Sequence, residues 1–476
     1  VTAQSTRLAT RLVCAGCGAE PDRGDPYPFR CPRARPGDDV DHVLRRELDV
    51  SAVRFPLDDP EPNPFVRYRA FLHAYHAAIA GGVPDEEFCA LARRLDAGVA
   101  AVDGHGFTAT PFARSDGLSR RLGFSERGGV WVKDETGDVS GSHKSRHLFG
   151  VLLWLEVAER LGLADTARRP DLAIASCGNA ALAAAVVAAA GGRTLRVFVP
   201  VDAQPAVLAR LEELGAHVTA CPRQGDEGDP TVRRLLLALA EGALPFTCQG
   251  NLNGLAVEGG ETLGYELAAD LAAAGETVDH LVVQVGGGAL ASACAESLRE
   301  AAALGAIPAP PRLHTVQTEG AWPLRRAFDA VAARCAGRSP RAIREAVSYA
   351  AHHRSAFMWP WETAPTSVAH GILDDETYDW LAVVEAMLAT GGSALVVDEE
   401  TLERANAVAR ETTAIPVDAT GSAGLAGLLA LRESGAVAAD ERVGVLLTGV
   451  LRDQQPTGRD RDEKFSRARH PVAQGL

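Results

Sequence analysis

The sequence predicts an α/β protein built on open parallel sheets. Short β-branched runs alternate with longer helical runs from Phe107 onward, the pattern of repeated strand–helix units. Small-residue turns, SCGN at 176–179 and GGG at 286–288, stand between an apolar run and a helical one. With 476 residues, 46% apolar and 23% charged, the chain is an ordinary globular one with room for several lobes and a large core.

The N-terminal stretch VTAQSTRLATRLV lacks the basic region and apolar core of a signal peptide. Cys14-Ala-Gly-Cys17 and the nearby Cys31 form a candidate zinc knuckle, because paired thiolates on a glycine turn suit a structural zinc. Position 34, where a second C-x-x-C would close a four-sulfur site, is alanine, and His42 is a candidate fourth ligand. An unmetallated turn is the alternative. Asn63–Ala80 reads as one helix with an aromatic face, and 84–100 as a second. His73 and His76 lie three apart on the first, where surface or packing roles are the ordinary reading. Residues 1–106 thus form an N-terminal extension.

The main body, 107–450, begins its alternation with GVWVK, followed by a helix after His147. DLAIAS precedes an alanine-rich helix, and LRVFVP precedes PAVLARLEELG. HVTACP, LPFTCQ, HLVVQV and RLHTVQ are further strand candidates, each followed by a helical run. A smaller lobe is expected at about 150–250, and 451–476 reads as a polar tail whose basic run, SRARH, is a solvated surface.

Charge and apolarity exclude several functions. A formal charge of −14 without a basic stripe disfavours nucleic acid. No segment reaches the roughly 20 apolar residues of a membrane helix. Nine scattered cysteines form no secreted disulfide framework, so a cytoplasmic setting is expected.

In parallel α/β folds ligands bind at the carboxyl ends of strands, and three such places carry chemistry. Lys144 sits in SGSHKSRH, a Gly/Ser turn running into a helix, as a covalent or phosphate-contacting lysine would. Ser176, Cys177 and Gly178 lead into a helix at Asn179, whose free N–H groups suit a carboxylate or phosphate, although Asn179 as a helix cap is the plainer reading. Gly286, Gly287 and Gly288 let the backbone approach an anion closely.

Together, SGSHKSRH (140–147), SCGNAA (176–181), EGGETLGYE (258–266), VGGGALASA (285–293) and DATGSAGLAG (418–427) resemble the fold type II family of pyridoxal-phosphate (PLP) enzymes, the tryptophan synthase β superfamily. Threonine synthase, threonine and serine dehydratases and cysteine synthase belong to it. The resemblance implies two α/β lobes with PLP in the cleft between them. It implies Lys144 as the Schiff-base residue and Asn179 as partner of the cofactor's 3-hydroxyl. Gly286, Gly287, Gly288, Ala289 and Leu290 would cradle the phosphate, which His143 would also touch. Thr420 would face the pyridine nitrogen. Ser176, Cys177, Gly178 and Ala180 would receive the substrate carboxylate.

The cysteine knuckle, NPFVRYR, EGGETLGYE and TSVAHGI (366–372) look like the threonine synthase branch. His143 and Ser145 replace the Phe and Asp of that branch's GSFKDR, and Cys177 stands where serine or threonine is usual. The expected activity is a PLP-dependent lyase eliminating on a small hydroxy- or phospho-L-amino acid, as threonine/serine ammonia-lyases or threonine synthase do. The alternative is a β-replacement synthase joining an aminoacrylate to a thiol, amine or other nucleophile. Arg146 is either part of a site for a leaving phosphate or a surface charge, and Asp418 is a local cap. A homodimer is what the resemblance implies.

Overall fold

A computed structural model describes residues 8–222, 229–337 and 339–452; the SRARH run lies outside them. Strands β1 (Thr10–Cys14) and β2 (Leu44–Leu48) pair antiparallel as a separate ribbon. Strands β3 (Phe112–Arg114), β4 (Gly129–Asp134), β9 (His280–Gln284), β10 (Arg312–Thr318), β11 (Ser393–Val397) and β12 (Arg442–Leu447) make a six-stranded sheet. Strands β5 (Leu172–Ala175), β6 (Leu195–Pro200), β7 (His217–Cys221) and β8 (Leu244–Pro245) make a four-stranded one. The orders are β11-β10-β9-β12-β4-β3 and β7-β6-β5-β8. All pairings are parallel except that of β3 with β4 at the large sheet's edge.

The smaller lobe is inserted between β4 and β9 of the larger. Two long helices line the passage. Lys144–Arg160 leaves the large sheet, and Ala256–Ala274 returns to it; they pack on each other, and both are buried along most of their length. They cross at two glycines: a Cβ on Gly150 would lie 2.8 Å from Gly259 Cα. Helix Asn179–Ala190 is apolar all round and buried from Ala181 to Ala188, as a helix with neighbours on every side should be.

The N-terminal extension departs from the expected single helix. Pro64–Arg67, a 3₁₀ turn at Arg69–Phe71 and His73–Ala80 follow one another, because Leu72 is extended. The interruption lets Tyr68 and Phe71 turn onto Tyr265. His73 is buried on Trp154 and hydrogen-bonded with Thr10 Oγ1, while His76 Nε2 meets Ala70 O. Neither belongs to a cluster of potential metal ligands among the described residues.

No helix among the described residues is long and apolar enough to cross a membrane.

Candidate active site

The strand ends converge as parallel topology requires. Helix Lys144–Arg160 starts ten residues beyond the end of β4. Helix Asn179–Ala190 follows β5, and helix Ala289–Ala303 follows β9. Strand β12 lies between β4 and β9, so Thr448, just past its carboxyl end, falls between the lysine and the glycine turn.

Lys144 is half-buried at the first position of its helix. The turn before it is tight: Ser140, with φ of 58°, and Gly141, with φ of 70°, are both left-handed. An isolated bridge between Ser142 and Gly449 fastens the turn to the end of β12. His143 is buried, and its Nδ1 lies 3.4 Å from Thr448 O, so Nδ1 carries the proton and donates. Burial, with Lys144 nearby, holds its pKa well below the ordinary histidine value. Its Nε2 is buried without a hydrogen-bond partner, a lone pair left for something else in the cleft.

The glycine turn is shaped for an anion. Gly288, with φ of 98°, takes a left-handed conformation and opens the helix whose first residues, Ala289 and Leu290, are buried. Asp379 N donates to Gly287 O at 3.0 Å, and Thr377 Oγ1 donates to Gly286 O at 3.0 Å. Asp374 reaches into the turn: a Cβ on Gly286 would lie 2.3 Å from its Oδ2, and Gly287 N–H donates to its carboxylate. Burial pushes Asp374 up to about 6, although Lys144 and the Gly287 N–H pull it down. A carboxylate thus stands where the turn offers N–H groups to a phosphate. The donor set and the cradle a Cβ would fill fit the phosphate of PLP, whereas the His143 Nε2 lone pair, an acceptor, is not matched to a phosphate oxygen.

The remaining predicted residues fall around this cleft. Gly178 precedes helix Asn179–Ala190 and Asn179 is inside it, so Asn179 is not the helix cap. Its Oδ1 instead accepts from Arg452 Nη2 at 2.9 Å, and its side chain is hydrogen-bonded to Asp418. Ser176 Oγ accepts from Gly178 N at 3.4 Å, Cys177 is exposed, and Ala180 is half-buried on the first turn. Asp418 also accepts from Gly421 N, as a local cap does.

Thr420 does not follow a strand. It lies between helices Glu399–Thr413 and Ala423–Glu433, and its Oγ1 accepts from Gly371 N at 3.0 Å.

Several residues escaped sequence reasoning. Thr448 is buried at the end of the central strand, and its Oγ1 accepts from Gln284 Nε2 at 2.6 Å, leaving its own proton free to donate. The signal was present in VGVLLTG, an apolar run ending in a hydroxyl and a glycine. Cys248, in the loop after β8, places its Sγ 4.0 Å from Lys144 O, and burial pushes its thiol up to about 11. Asp379, buried beside Asp41, is pushed up to about 7.

Arg146 is neither a phosphate ligand nor a surface charge. It is fully buried, with Nε 2.9 Å from Glu135 Oε2 and Nη1 2.6 Å from Glu266 Oε1. Asp138 lies 3.2 Å from Nε, and Lys133 Nζ is 2.6 Å from Glu266 Oε2. This network fastens the start of the lysine helix to helix Ala256–Ala274.

Comparison with known proteins agrees with this architecture. The chain is 26% identical to threonine synthase from Methanocaldococcus jannaschii over 343 residues, 71% of this chain and 74% of that protein. Maize serine racemase superposes with a TM-score of 0.57 at 18% identity, covering 80% of this chain and 98% of that one. Diaminopropionate ammonia lyase from Escherichia coli gives a TM-score of 0.57 at 17% identity, covering 88% and 98%. The family model for pyridoxal-phosphate dependent enzymes matches residues 105–449. The chain therefore belongs to the pyridoxal-phosphate dependent enzyme family.

Proposed function

We propose that the protein is a PLP-dependent lyase that eliminates water or phosphate from a small hydroxy- or phospho-L-amino acid, as threonine/serine ammonia-lyases or threonine synthase do. One observation carries the reading: Lys144 and the glycine cradle flank a strand end that presents a hydroxyl, Thr448, rather than a carboxylate. PLP supplies an electron sink for the carbanion at the substrate Cα.

The chain's own residues do the rest. Lys144 Nζ would hold the cofactor covalently and, as a free amine, would take the Cα proton as base and pass it to the leaving oxygen. Gly286 through Leu290 hold the phosphate through backbone N–H groups at a helix start. Ser176, Cys177, Gly178 and Ala180 receive the substrate carboxylate at another. Asn179, steadied by Arg452 and Asp418, orients the cofactor's ring hydroxyl. Thr448, accepting from Gln284, donates to the pyridine nitrogen; a hydroxyl leaves that nitrogen unprotonated and favours elimination over transamination. The sequence assigned this role to Thr420, whose Oγ1 likewise accepts a hydrogen bond, from Gly371 N, but which lies between two helices rather than beside the end of the central strand. The working unit is a homodimer, as the family resemblance implies.

The test begins with the visible absorption band of a lysine-linked cofactor, expected on adding PLP and lost in Lys144→Ala. Product analysis over hydroxy- and phospho-amino acids then reads the reaction. Ammonia with a 2-oxo acid marks the ammonia-lyase, and phosphate with threonine marks the synthase. Products that form only with an added thiol or amine refute the lyase reading.

A further inference from the structure

The ribbon of β1 and β2 lies outside the catalytic chemistry, yet it gathers four groups of one kind. The thiols of Cys14, Cys17 and Cys31 and a ring nitrogen of His42 all lie within 4.8 Å of one another. Cys14 ends β1 and pairs with Leu44 of β2, so the ribbon's register sets the first ligand beside His42. Cys17 follows one turn later, with Gly18 left-handed at φ of 67°.

The separations match a tetrahedral ion. Zinc bonds of about 2.3 Å to sulfur and 2.0–2.1 Å to nitrogen require about 3.7 Å between two sulfurs and about 3.5 Å between sulfur and nitrogen. Cys17 Sγ is 3.6 Å from Cys31 Sγ, and Cys14 Sγ is 3.4 Å from His42 Nδ1. We propose that Cys14, Cys17, Cys31 and His42 bind a structural zinc ion.

Three further features support the assignment. His42 Nε2 lies 2.9 Å from Asp38 Oδ2, so the distal nitrogen donates to a carboxylate and Nδ1 presents its lone pair to the cluster. Backbone N–H groups of Cys17 and Arg33 point at the sulfurs of Cys14 and Cys31, at 3.5 and 3.4 Å, as they do around thiolates. The apolar cluster of this knuckle contains Cys14, Ala19, Cys31 and Leu44, a single large side chain among small ones. So small a core needs another source of stability, which a metal provides.

The site reaches the body of the protein through the residue beside His42. Asp41 N donates to Ala351 O at 2.7 Å, and Asp41 Oδ1 accepts from Trp380 Nε1 at 3.1 Å.

The test uses the full chain, purified reduced and without chelator, then saturated with zinc and desalted. Zinc equimolar with protein, and thiolate-to-cobalt charge-transfer absorption after exchange with Co(II), are expected. Metal at background with the three thiols titrating free, or with Cys17 and Cys31 joined as a disulfide, overturns the proposal. Asp38→Asn changes only an outer partner of the histidine and should fold; it is expected to lower zinc affinity about 10–100-fold against a chromogenic chelator. An affinity equal to wild type would overturn His42 as the fourth ligand. His42→Cys should keep the metal.

Discussion

Arg146→Met is the most informative single change, because two roles for this arginine predict opposite results. As a ligand for a leaving phosphate, its loss would raise KM for a phospho-substrate and leave the fold intact. Burial in the network of Glu135, Asp138, Glu266 and Lys133 predicts that the fold suffers first. Removing one partner of a buried ion pair costs about 3–5 kcal/mol, since the remaining charges lose their counterion while staying dry. For a cooperative unit of about 150–250 residues this lowers Tm by roughly 6–20 °C.

The pH dependence sharpens the test. Burial pushes Glu266 upward, but Arg146 and Lys133 outweigh it and hold its pKa below the ordinary value. In the wild type this stability is present above the unfolded glutamate pKa and is lost as pH falls through the lowered folded one. In Arg146→Met burial is less opposed, so the folded pKa of Glu266 rises. A folded pKa above the unfolded value costs stability as pH rises, so the variant's deficit relative to the wild type should shrink as pH falls from 7 to about 5. Thermal or urea unfolding across that range measures it. A variant as stable as wild type at pH 7, with a raised KM alone, would refute the structural role.

Three other outcomes follow from the cleft. Gly286→Ala drives a Cβ to within 2.3 Å of Asp374 Oδ2 and 3.0 Å of Ile372 Cα; an overpacking cost of about 1–3 kcal/mol should weaken PLP binding by roughly 5–150-fold in a fluorescence titration. Sulfate, an anion that does not titrate here, should bind the cofactor-free cradle less tightly as pH rises through about 6, where Asp374 ionises, and Asp374→Asn should flatten that profile. Thr448→Val should shift the cofactor's absorption and lower kcat by about 10-fold or more, while Thr420→Val should change the spectrum little; the reverse would return the pyridine contact to Thr420.

Much of this architecture is legible in the chain because parallel sheets write themselves locally. Strands such as β6 and β9 are buried on both faces and read as continuous apolar runs, and the turns behind β5 and β9 carry the small residues that anion binding needs. Contacts between distant segments were not legible. Nothing near Arg146 announces that Glu266 will face it, since the pair is made by two helices crossing at Gly150 and Gly259. Asp374 enters the glycine turn from a loop with no periodic signal. The sequence placed the boundary of the body at 450, yet Arg452 reaches back to Asn179. His42 was visible only as a candidate until the ribbon's register set it beside Cys14.

The position of β12 bears on how the molecule is assembled. It is the last strand in chain order among the described residues, but it lies in the middle of the large sheet, between β4 and β9. Until it inserts, that sheet is two separate pieces, each with an unpaired edge facing the gap. A chain emerging from the ribosome can complete its smaller sheet early, because β5 to β8 are contiguous in sequence. The larger one must wait for residues beyond Arg442 and hold two sticky edges apart meanwhile. The same insertion delivers Thr448, so the seam that closes the fold also completes the cleft. Folding intermediates should therefore be aggregation-prone and inactive together, with both conditions relieved by one late event.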